Sequence, residues 1–281
     1  MTSHTIKFYD AANVSLSCLK KAIPFIFTAL MCYGLFAVSE ASAQQTFRRE
    51  RTTLNETGEA RADFLFRKPT GFAGFRLGRL YPRLDSDIFD FVTEELTLDK
   101  SDFRSWDLGF DGGFSMNEWF DLIFSLDSSA SEKTSEFRYY IDEYGMPITQ
   151  KTTFSQVPLT VGIRFLPMPR GREVGEYAYL PSPVVPFLSG GAGILWYRFN
   201  QHGYFVDTVT LEIFHADLES SGSTPVIYLG GGADIRIFKS MYMTLDLRYS
   251  WAKDDLEGDF IGFEPIDLSG LQMTAGLHWH Y

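Results

Sequence analysis

The clearest pattern in the chain is an alternation of apolar and polar residues that recurs eight times after residue 70. In residues 271–281 (LQMTAGLHWHY), every second side chain is apolar or aromatic, whereas those between are polar or small. Successive side chains of a β-strand point to opposite faces, so this alternation predicts a strand with one apolar and one polar face. The eight strands are predicted at residues 71–81, 105–116, 120–127, 157–165, 184–199, 224–238, 241–251 and 271–281.

The links between these strands alternate in length. Two-residue turns at Asn117-Glu118 and Lys239-Ser240 predict antiparallel hairpins. Long links are predicted to be loops at residues 82–104, 128–152, 200–223 and 253–267, with a short helix around residues 89–98. The proline-bounded link at residues 167–183 is of medium length. Alternating short turns and long loops are typical of bacterial outer-membrane barrels, whose short turns lie on the periplasmic side.

These patterns predict an all-β fold: an eight-stranded, antiparallel, up-and-down transmembrane β-barrel. Strands of about ten residues are long enough to cross a bilayer when they are tilted. An even number of strands places both chain ends on the periplasmic side. The alternative is a soluble barrel or sandwich, in which the apolar face would point inward.

Aromatic residues of the predicted strands fall at two levels, as expected for belts at the two membrane interfaces. A soluble barrel needs no such belts, so they favour the membrane interpretation. The predicted belt at the loop end consists of Tyr81, Trp106, Trp196 and Trp251. The belt at the turn end consists of Phe114, Trp119, Phe165, Tyr242, Trp279 and Tyr281.

The opposite, inward face carries charged residues. The interior of an eight-stranded barrel is only wide enough for side chains to fill it, so these charges are expected to pair with one another. A narrow ion path is the alternative. The predicted ion-pair network consists of Arg76, Asp107, Asp111, Asp121, Arg164, Asp234, Arg236, Asp246 and Arg248.

The start of the chain has the features of an export signal. Lys20 and Lys21 precede an apolar run, and residues 41–43 (ASA) form a small-x-small cleavage site. We therefore predict a signal peptide at residues 1–43, with cleavage between Ala43 and Gln44. Residues 44–70 are polar and are predicted to be a flexible periplasmic segment, and residues 71–281 form the barrel.

Composition excludes several kinds of chemistry. Both cysteines, Cys18 and Cys32, lie in the predicted signal peptide, so the mature chain has no disulfide, thiolate metal site or cysteine nucleophile. The signal peptide carries a net charge of +1, and its removal from the total of −11 leaves −12. An acidic chain lacks the basic surface that binds nucleic acid. No cofactor is expected.

The chain resembles the OmpA/OmpW-like family of small outer-membrane barrels. The resemblance rests on strand count, loop asymmetry, the terminal strand, and the glycine-rich stretches PFLSGGAGILWY and LGGGADIRIF. It implies a location in the outer membrane of a Gram-negative bacterium. The implied partners are membrane lipids, lipopolysaccharide of the outer leaflet among them, and the barrel-assembly machinery, which recognises a C-terminal strand that ends on an aromatic residue.

Three functions remain open on the sequence. The first is a structural or interaction scaffold with acidic surface loops and a charged, side-chain-filled interior. The second is a narrow pore or a passage for small ligands. The third is an envelope enzyme that modifies lipid A. The scaffold is the favoured interpretation, and no enzymatic activity is predicted.

The residues that would carry catalysis or metal binding do not form a recognisable motif. His202 and His215 lie near Ser220 and Ser221, without a G-x-S-x-G sequence around either serine. His278 and His280 share the inward face of the last strand, where interior residues are expected rather than metal ligands. Acidic residues of the last long loop are expected to be solvated rather than to bind a divalent cation: Asp254, Asp255, Glu257 and Asp259.

Overall fold

The computed structural model describes residues 65–174, 178–207, 210 and 212–281. The predicted signal peptide (residues 1–43), the cleavage site at Ala43 and Gln44, and residues 44–64 lie outside the described residues. One compact unit, residues 62–281, contains the whole of the described chain.

The described chain is mainly antiparallel β-sheet. Its longer strands are β1 (Gly71–Pro82), β2 (Ser105–Ser115), β3 (Phe120–Ile141), β4 (Pro147–Phe165), β7 (Val184–Val206), β8 (Ile213–Arg236), β9 (Met241–Trp251) and β12 (Gly270–His280). Its shorter strands are β5 (Gly171–Glu173), β6 (Tyr179–Pro181), β10 (Lys253–Asp254) and β11 (Ile266–Asp267). One α-helix, α1 (Asp87–Glu95), follows β1, and two 3-10 turns cover Lys100–Phe103 and Gly258–Phe260.

The eight longer strands form a closed barrel in the order β1-β2-β3-β4-β7-β8-β9-β12. Closure comes from β1, which pairs with β2 on one side and with β12 on the other. Ala73 lies opposite Trp279, and the backbone N–H of Tyr281 continues the pairing by donating to the Gly71 carbonyl at 3.0 Å. The predicted eight-stranded, up-and-down antiparallel barrel is confirmed.

Four strands are longer than predicted: β3, β4, β7 and β8 have 22, 19, 23 and 24 residues. The predictions of long loops at residues 128–152 and 200–223 are therefore wrong. Residues 142–146 and 207–212 connect these strand pairs instead. Beyond the apolar band, both strand faces carry polar residues such as Glu132, Lys133 and Thr152, so the apolar alternation stops although the backbone pairing continues.

The links after β1 and β9 fold over the opening at the loop end and fill it. Helix α1, which the sequence placed around residues 89–98, inserts Ile88, Phe89 and Val92 into an apolar cluster with residues of β4 and β7. The ring of Phe89 packs edge-to-face on Phe154 at 5.5 Å between centroids. These links therefore do more than the solvated acidic loops that the sequence predicted, because they bury an apolar plug above the polar interior.

Apolar side chains of the barrel wall face outward. Phe75, Leu108 and Leu229 have exposed fractions of 55%, 56% and 62%, although each lies in the middle of a regular strand. A soluble barrel would bury these faces, and polar groups would take their place outside. The outward apolar band is the arrangement that places a barrel wall against lipid. Among the described residues, no helix is both long and apolar enough to cross a membrane.

The predicted aromatic belts lie on the outward face with one exception. Trp106 at the loop end and Trp279 at the turn end are 61% and 45% exposed, and Trp196 is half-buried. Tyr242 is buried, and its ring lies 4.3 Å from that of His280 inside the barrel. Its assignment to the belt is wrong because it lies between the outward Met241 and Met243 and so belongs to the inward file. The remaining belt residues are exposed: Tyr81, Trp251, Phe114, Trp119, Phe165 and Tyr281.

The link at residues 167–183 forms a small hairpin of β5 and β6 at the turn end of the barrel. Leu65, within the segment that the sequence predicted to be flexible, pairs through its N–H and its carbonyl with Tyr179, both at 2.8 Å. This link therefore covers the turn end of the barrel instead of being a simple turn.

An arginine at the centre of the apolar band should destabilise the barrel in a bilayer. We expect Leu245→Arg to lower the free energy of unfolding by roughly 2–4 kcal/mol, because the guanidinium would enter the hydrocarbon. Urea unfolding in lipid vesicles measures this change. Tyr204→Arg is the control, since Tyr204 is exposed on the extension of β7, and its replacement should leave the free energy almost unchanged. Equal effects of the two substitutions would mean that the band does not meet lipid.

Candidate functional site

The polar faces of the barrel strands meet at Arg76 of β1, whose side chain is 0% exposed. Its Nε lies 2.6 Å from Oδ2 of Asp111 on β2, and its Nη2 lies 2.7 Å from Oδ1 of Asp127 on β3. Asp246 on β9 adds a third carboxylate, 3.8 Å from Nη1. One guanidinium thus ties together carboxylates from three other strands, which is how a buried charge escapes the cost of isolation.

Glycines beside Arg76 make room for these long side chains. A Cβ on Gly109, which pairs with Arg76 across the β1–β2 ladder, would collide with the Asp127 carboxylate. A Cβ on Gly276, on the other neighbouring strand, would lie 2.8 Å from Cγ of Arg76. The glycines of the polar file are therefore required where large charged residues cross the narrow interior.

A second buried arginine extends the cluster along β9. Nη2 of Arg248 lies 3.1 Å from Oδ2 of Asp246, and its Nη1 lies 3.8 Å from Oδ2 of Asp127. Its guanidinium also lies over the ring of Tyr228, 4.7 Å from the centroid. Two arginines thus share the carboxylates of Asp127 and Asp246.

Asp107, a predicted network member on β2, is held by an amide rather than by an ion pair. Nε2 of Gln272 donates to its Oδ2 at 2.5 Å. Gln272 belongs to the polar file of the closing strand, so β12 contributes to the interior as well as to the seam.

A chain of polar contacts joins this cluster to a second one nearer the turn end. Arg164 Nη1 lies 3.2 Å from Oδ2 of Asp234, whose Oδ1 accepts the hydroxyl hydrogen of Thr244 at 2.7 Å. Thr244 has no second hydrogen, so Nδ1 of His278 donates to its oxygen at 3.0 Å. Nε2 of His278 lies 3.4 Å from Asp111, and the chain reaches the first cluster there.

The turn end is closed by a residue from outside the barrel wall. Arg170, in the link before β5, reaches into the lumen and pairs with both carboxylate oxygens of Asp121. Its Nη1 lies 3.0 Å from Oδ1 and also donates to Ser115 at 2.8 Å. The interior thus carries ion pairs from the middle of the barrel to its turn end.

Eight of the nine predicted network residues lie in these contacts. Arg236 is half-buried at the turn end of β8, and its backbone N–H donates to the Pro183 carbonyl at 2.8 Å. Sequence analysis left out Asp127, although it lies on the inward file of the third predicted strand, and it also missed Thr244 and Gln272. Arg170 could not be found from strand alternation because it lies in a link.

Little space remains in the lumen at the level of Asp107. A cavity of about 30 Å³ lies beside Asp107, Asp127 and Arg248. A wider cleft of about 280 Å³ lies at the turn end, where Ser115 and Arg170 contribute to its lining. The apolar plug of α1 and its neighbours lies between the level of Asp107 and the loop-end opening.

The histidines that the sequence singled out fall in two places. His202 and His215 lie on the outer face of the β7–β8 extension, with ring centroids 4.9 Å apart. Ser220 is buried on the opposite face, and its hydroxyl accepts the Glu257 N–H at 3.0 Å. The structure therefore separates these histidines from Ser220. His280, like His278, is buried inside, and its ring packs on Phe72 at 5.5 Å.

The acidic residues of the last long link form contacts within the protein. The carboxylate of Asp259 accepts the Glu219 N–H at 3.0 Å. Burial raises the pKa of Asp254, an effect that a hydrogen bond from the Asp255 backbone opposes. Among the residues that the structure describes, no three histidine, cysteine, aspartate or glutamate side chains are grouped as metal ligands.

No protein-family model and no curated protein matches the sequence. The fold is similar to several solved structures. Neisserial surface protein A is 11% identical, with 79% of this chain and 100% of that chain covered and a TM-score of 0.42. A major outer membrane protein of Thermus thermophilus is 10% identical, with 76% and 100% covered and a TM-score of 0.43. The Escherichia coli outer membrane protease OmpT is 10% identical, with 80% and 99% covered and a TM-score of 0.35. At these values none of the three carries an argument about function.

Removal of the central guanidinium should lower the free energy of unfolding far more than removal of a surface guanidinium. We expect Arg76→Met to lower the free energy of unfolding by about 3–5 kcal/mol, because Asp111 and Asp127 would keep buried charges without their partner. The matched control is Arg198→Met, which breaks an exposed ion pair with Glu219 and should cost about 0–1 kcal/mol.

Urea titrations in lipid vesicles compare these variants. Arg76→Met combined with Asp127→Asn should be less damaging than the sum of the two single substitutions, since neutralising the carboxylate removes part of the uncompensated charge. Additive losses would show that Arg76 and Asp127 do not stabilise one another.

Proposed function

We propose that this chain is an integral outer-membrane protein of a Gram-negative bacterium and acts as a structural and interaction scaffold rather than as a channel or an enzyme. The observation that carries the proposal is the inverted arrangement of the barrel, in which apolar side chains face out and paired charges face in. A barrel wall with an apolar outer face is stable in lipid and unfavourable in water. The two levels of outward aromatic residues support the same placement.

The contents of the lumen favour a scaffold over a pore. Arg76 and Arg164 are held across the interior by carboxylates of non-adjacent strands, and Arg248 is held by Asp246 of its own strand. An ion that moved past them would have to break these pairs, and it would then meet the apolar plug. At the level of Asp107 and Arg248 the free space is a cavity of only about 30 Å³, which supports a closed lumen.

The surface beyond the loop-end belt is the part available for interactions. The extensions of β3, β4, β7 and β8 raise two hairpin ends above the apolar band. The β3–β4 end presents Tyr139 and Tyr144, which are 76% and 88% exposed. Exposed loop ends on a rigid sheet commonly carry recognition, so a partner of the scaffold is expected to bind here.

Two partners follow from the membrane location. Lipids surround the apolar band, with lipopolysaccharide expected at the loop end. The barrel-assembly machinery is expected to recognise β12 together with Tyr281, which follows it and lies at the seam with β1. The Tyr281 carbonyl accepts the Thr70 N–H at 2.7 Å, while its side chain remains exposed.

Fractionation and conductance together test this function. We expect the protein to sediment with outer membranes and to migrate differently in detergent gels before and after boiling, as a closed barrel does. In planar bilayers the folded protein should give no steady current. Recovery with the soluble periplasm would overturn the membrane placement, and a steady ion-selective current would overturn the closed lumen.

The terminal tyrosine should matter for assembly more than for the folded barrel. We expect Tyr281→Ala to lower the yield of assembled barrel in cells severalfold, because the assembly machinery would lose the aromatic end of β12. The fraction of heat-modifiable protein in outer membranes measures this yield. Tyr144→Ala, at the exposed end of the β3–β4 hairpin, is the control and should assemble normally. Equal yields of the unsubstituted protein, Tyr281→Ala and Tyr144→Ala would contradict a recognition role for Tyr281.

A further inference from the structure

Two arginines and two aromatic residues form a compact outward patch at the loop end of β1 and β2. Arg79 lies opposite Trp106 in the β1–β2 ladder, and its guanidinium carbon is 4.3 Å from the centroid of the Trp106 ring. Just beyond the end of this ladder, the guanidinium of Arg104, the residue before β2, lies 5.6 Å from the centroid of the Tyr81 ring. In the first contact the arginine belongs to β1 and the aromatic residue to β2. In the second contact the aromatic residue belongs to β1 and the arginine lies just before β2.

The patch lies where the apolar band ends. Along the outward file of β1, Phe75 and Leu77 are followed by Arg79 and then Tyr81. All four side chains are exposed. A guanidinium directly after two lipid-facing residues, with interfacial aromatics beside it, stands at the depth of lipid headgroups. Since the long extensions lie on the same side, this is the outer leaflet.

Five of the other exposed cations around the loop end are already paired with carboxylates, and Arg138 donates to the Leu98 carbonyl. The pairs and their N–O distances are Arg83–Asp85 at 2.7 Å, Lys100–Asp90 at 2.7 Å, Lys133–Asp102 at 2.9 Å, Lys151–Glu132 at 2.8 Å and Arg198–Glu219 at 3.0 Å. Within the described residues, neither Arg79 nor Arg104 forms such a pair; each contacts an aromatic ring instead. In a chain with a net charge of −11, two neighbouring arginines without a carboxylate partner are available to an external anion.

We propose that Arg79 and Arg104 bind the phosphate groups of lipopolysaccharide in the outer leaflet, a site that rests on the outer-membrane location proposed above. A guanidinium packed on a ring by its face keeps its N–H edge for an acceptor, and that edge matches the geometry of phosphate. Diagonal positions on neighbouring strands are about 7–8 Å apart, so one lipid headgroup can contact both guanidinium groups. Trp106 and Tyr81 hold the two arginines in place and pack against the sugar and acyl parts of the same lipid.

Binding of purified lipopolysaccharide to the full-length protein in mild detergent tests the site. We expect the double variant Arg79→Gln, Arg104→Gln to bind about thirtyfold more weakly, since each cation near a charged lipid contributes about a fivefold factor. The matched control, Arg198→Gln, removes an arginine that already pairs with Glu219 and should bind like the unsubstituted protein. Equal binding by the double variant and the control would overturn the site.

Further ligands identify the group that is recognised. Dephosphorylated lipopolysaccharide should bind the unsubstituted protein as weakly as intact lipopolysaccharide binds the double variant. Inorganic phosphate at millimolar concentration and phosphatidylglycerol in mixed micelles should compete only weakly. Equal binding of the dephosphorylated lipid, or full competition by either phosphate source, would contradict a lipopolysaccharide phosphate site.

The two proposals fail in different ways. Heat-modifiable migration and sedimentation with outer membranes must be normal for the double variant, because both arginines lie outside the buried network. A protein that resides in the outer membrane but binds lipopolysaccharide equally well with and without these arginines would refute the site alone. A protein that does not reach the outer membrane would refute the proposed function.

Discussion

Pairing of the buried arginines in the lumen is the interaction on which the rest of the barrel depends. Lipid offers neither hydrogen bonds nor solvation for charge, so the wall must turn its polar file inward and must close to pair its backbone. An eight-stranded barrel then leaves no room to solvate that file with water. Arg76 resolves both demands, because carboxylates on β2, β3 and β9 neutralise it and link strands that are not all neighbours.

The same crowding explains the distribution of small and large residues. Gly109 and Gly276 lie beside Arg76 because any side chain there would meet the cluster. Arg164 lies between the rings of Phe72 and Phe187, at 4.8 and 4.0 Å, so even the aromatic interior residues contact a charge. Above the level of lipid, the wall continues with polar faces and the charges give way to the apolar plug of α1. The contents of the lumen thus change from ion pairs to apolar side chains at the level where the outer surface of the barrel leaves the lipid.

Sequence patterning was sufficient for the barrel because its signal is local. Alternation such as Leu245-Asp246-Leu247-Arg248 determines facing directly, and facing then determines which charges share the lumen. Beyond the lipid the outer face of a strand need not be apolar, so the apolar–polar alternation ends there. The extensions of β3 and β8 were therefore predicted to be loops. Alternation also could not reveal Arg170, since the position of a link residue depends on how the β5–β6 hairpin folds back toward Asp121. Pairing partners such as Thr244 and His278 required the register between strands.

The interior and the surface therefore have separate roles in this molecule. The buried arginines inside are engaged with carboxylates, and any function that required one of these arginines would have to break a pair that stabilises the barrel. Functional freedom lies outside, on hairpin ends such as the one that carries Tyr144 and on outward residues such as Arg79 that no carboxylate of the described chain neutralises. Ion pairs that occupy the lumen oppose the passage of solutes, and this is the physical basis for the proposed role of the barrel as a scaffold.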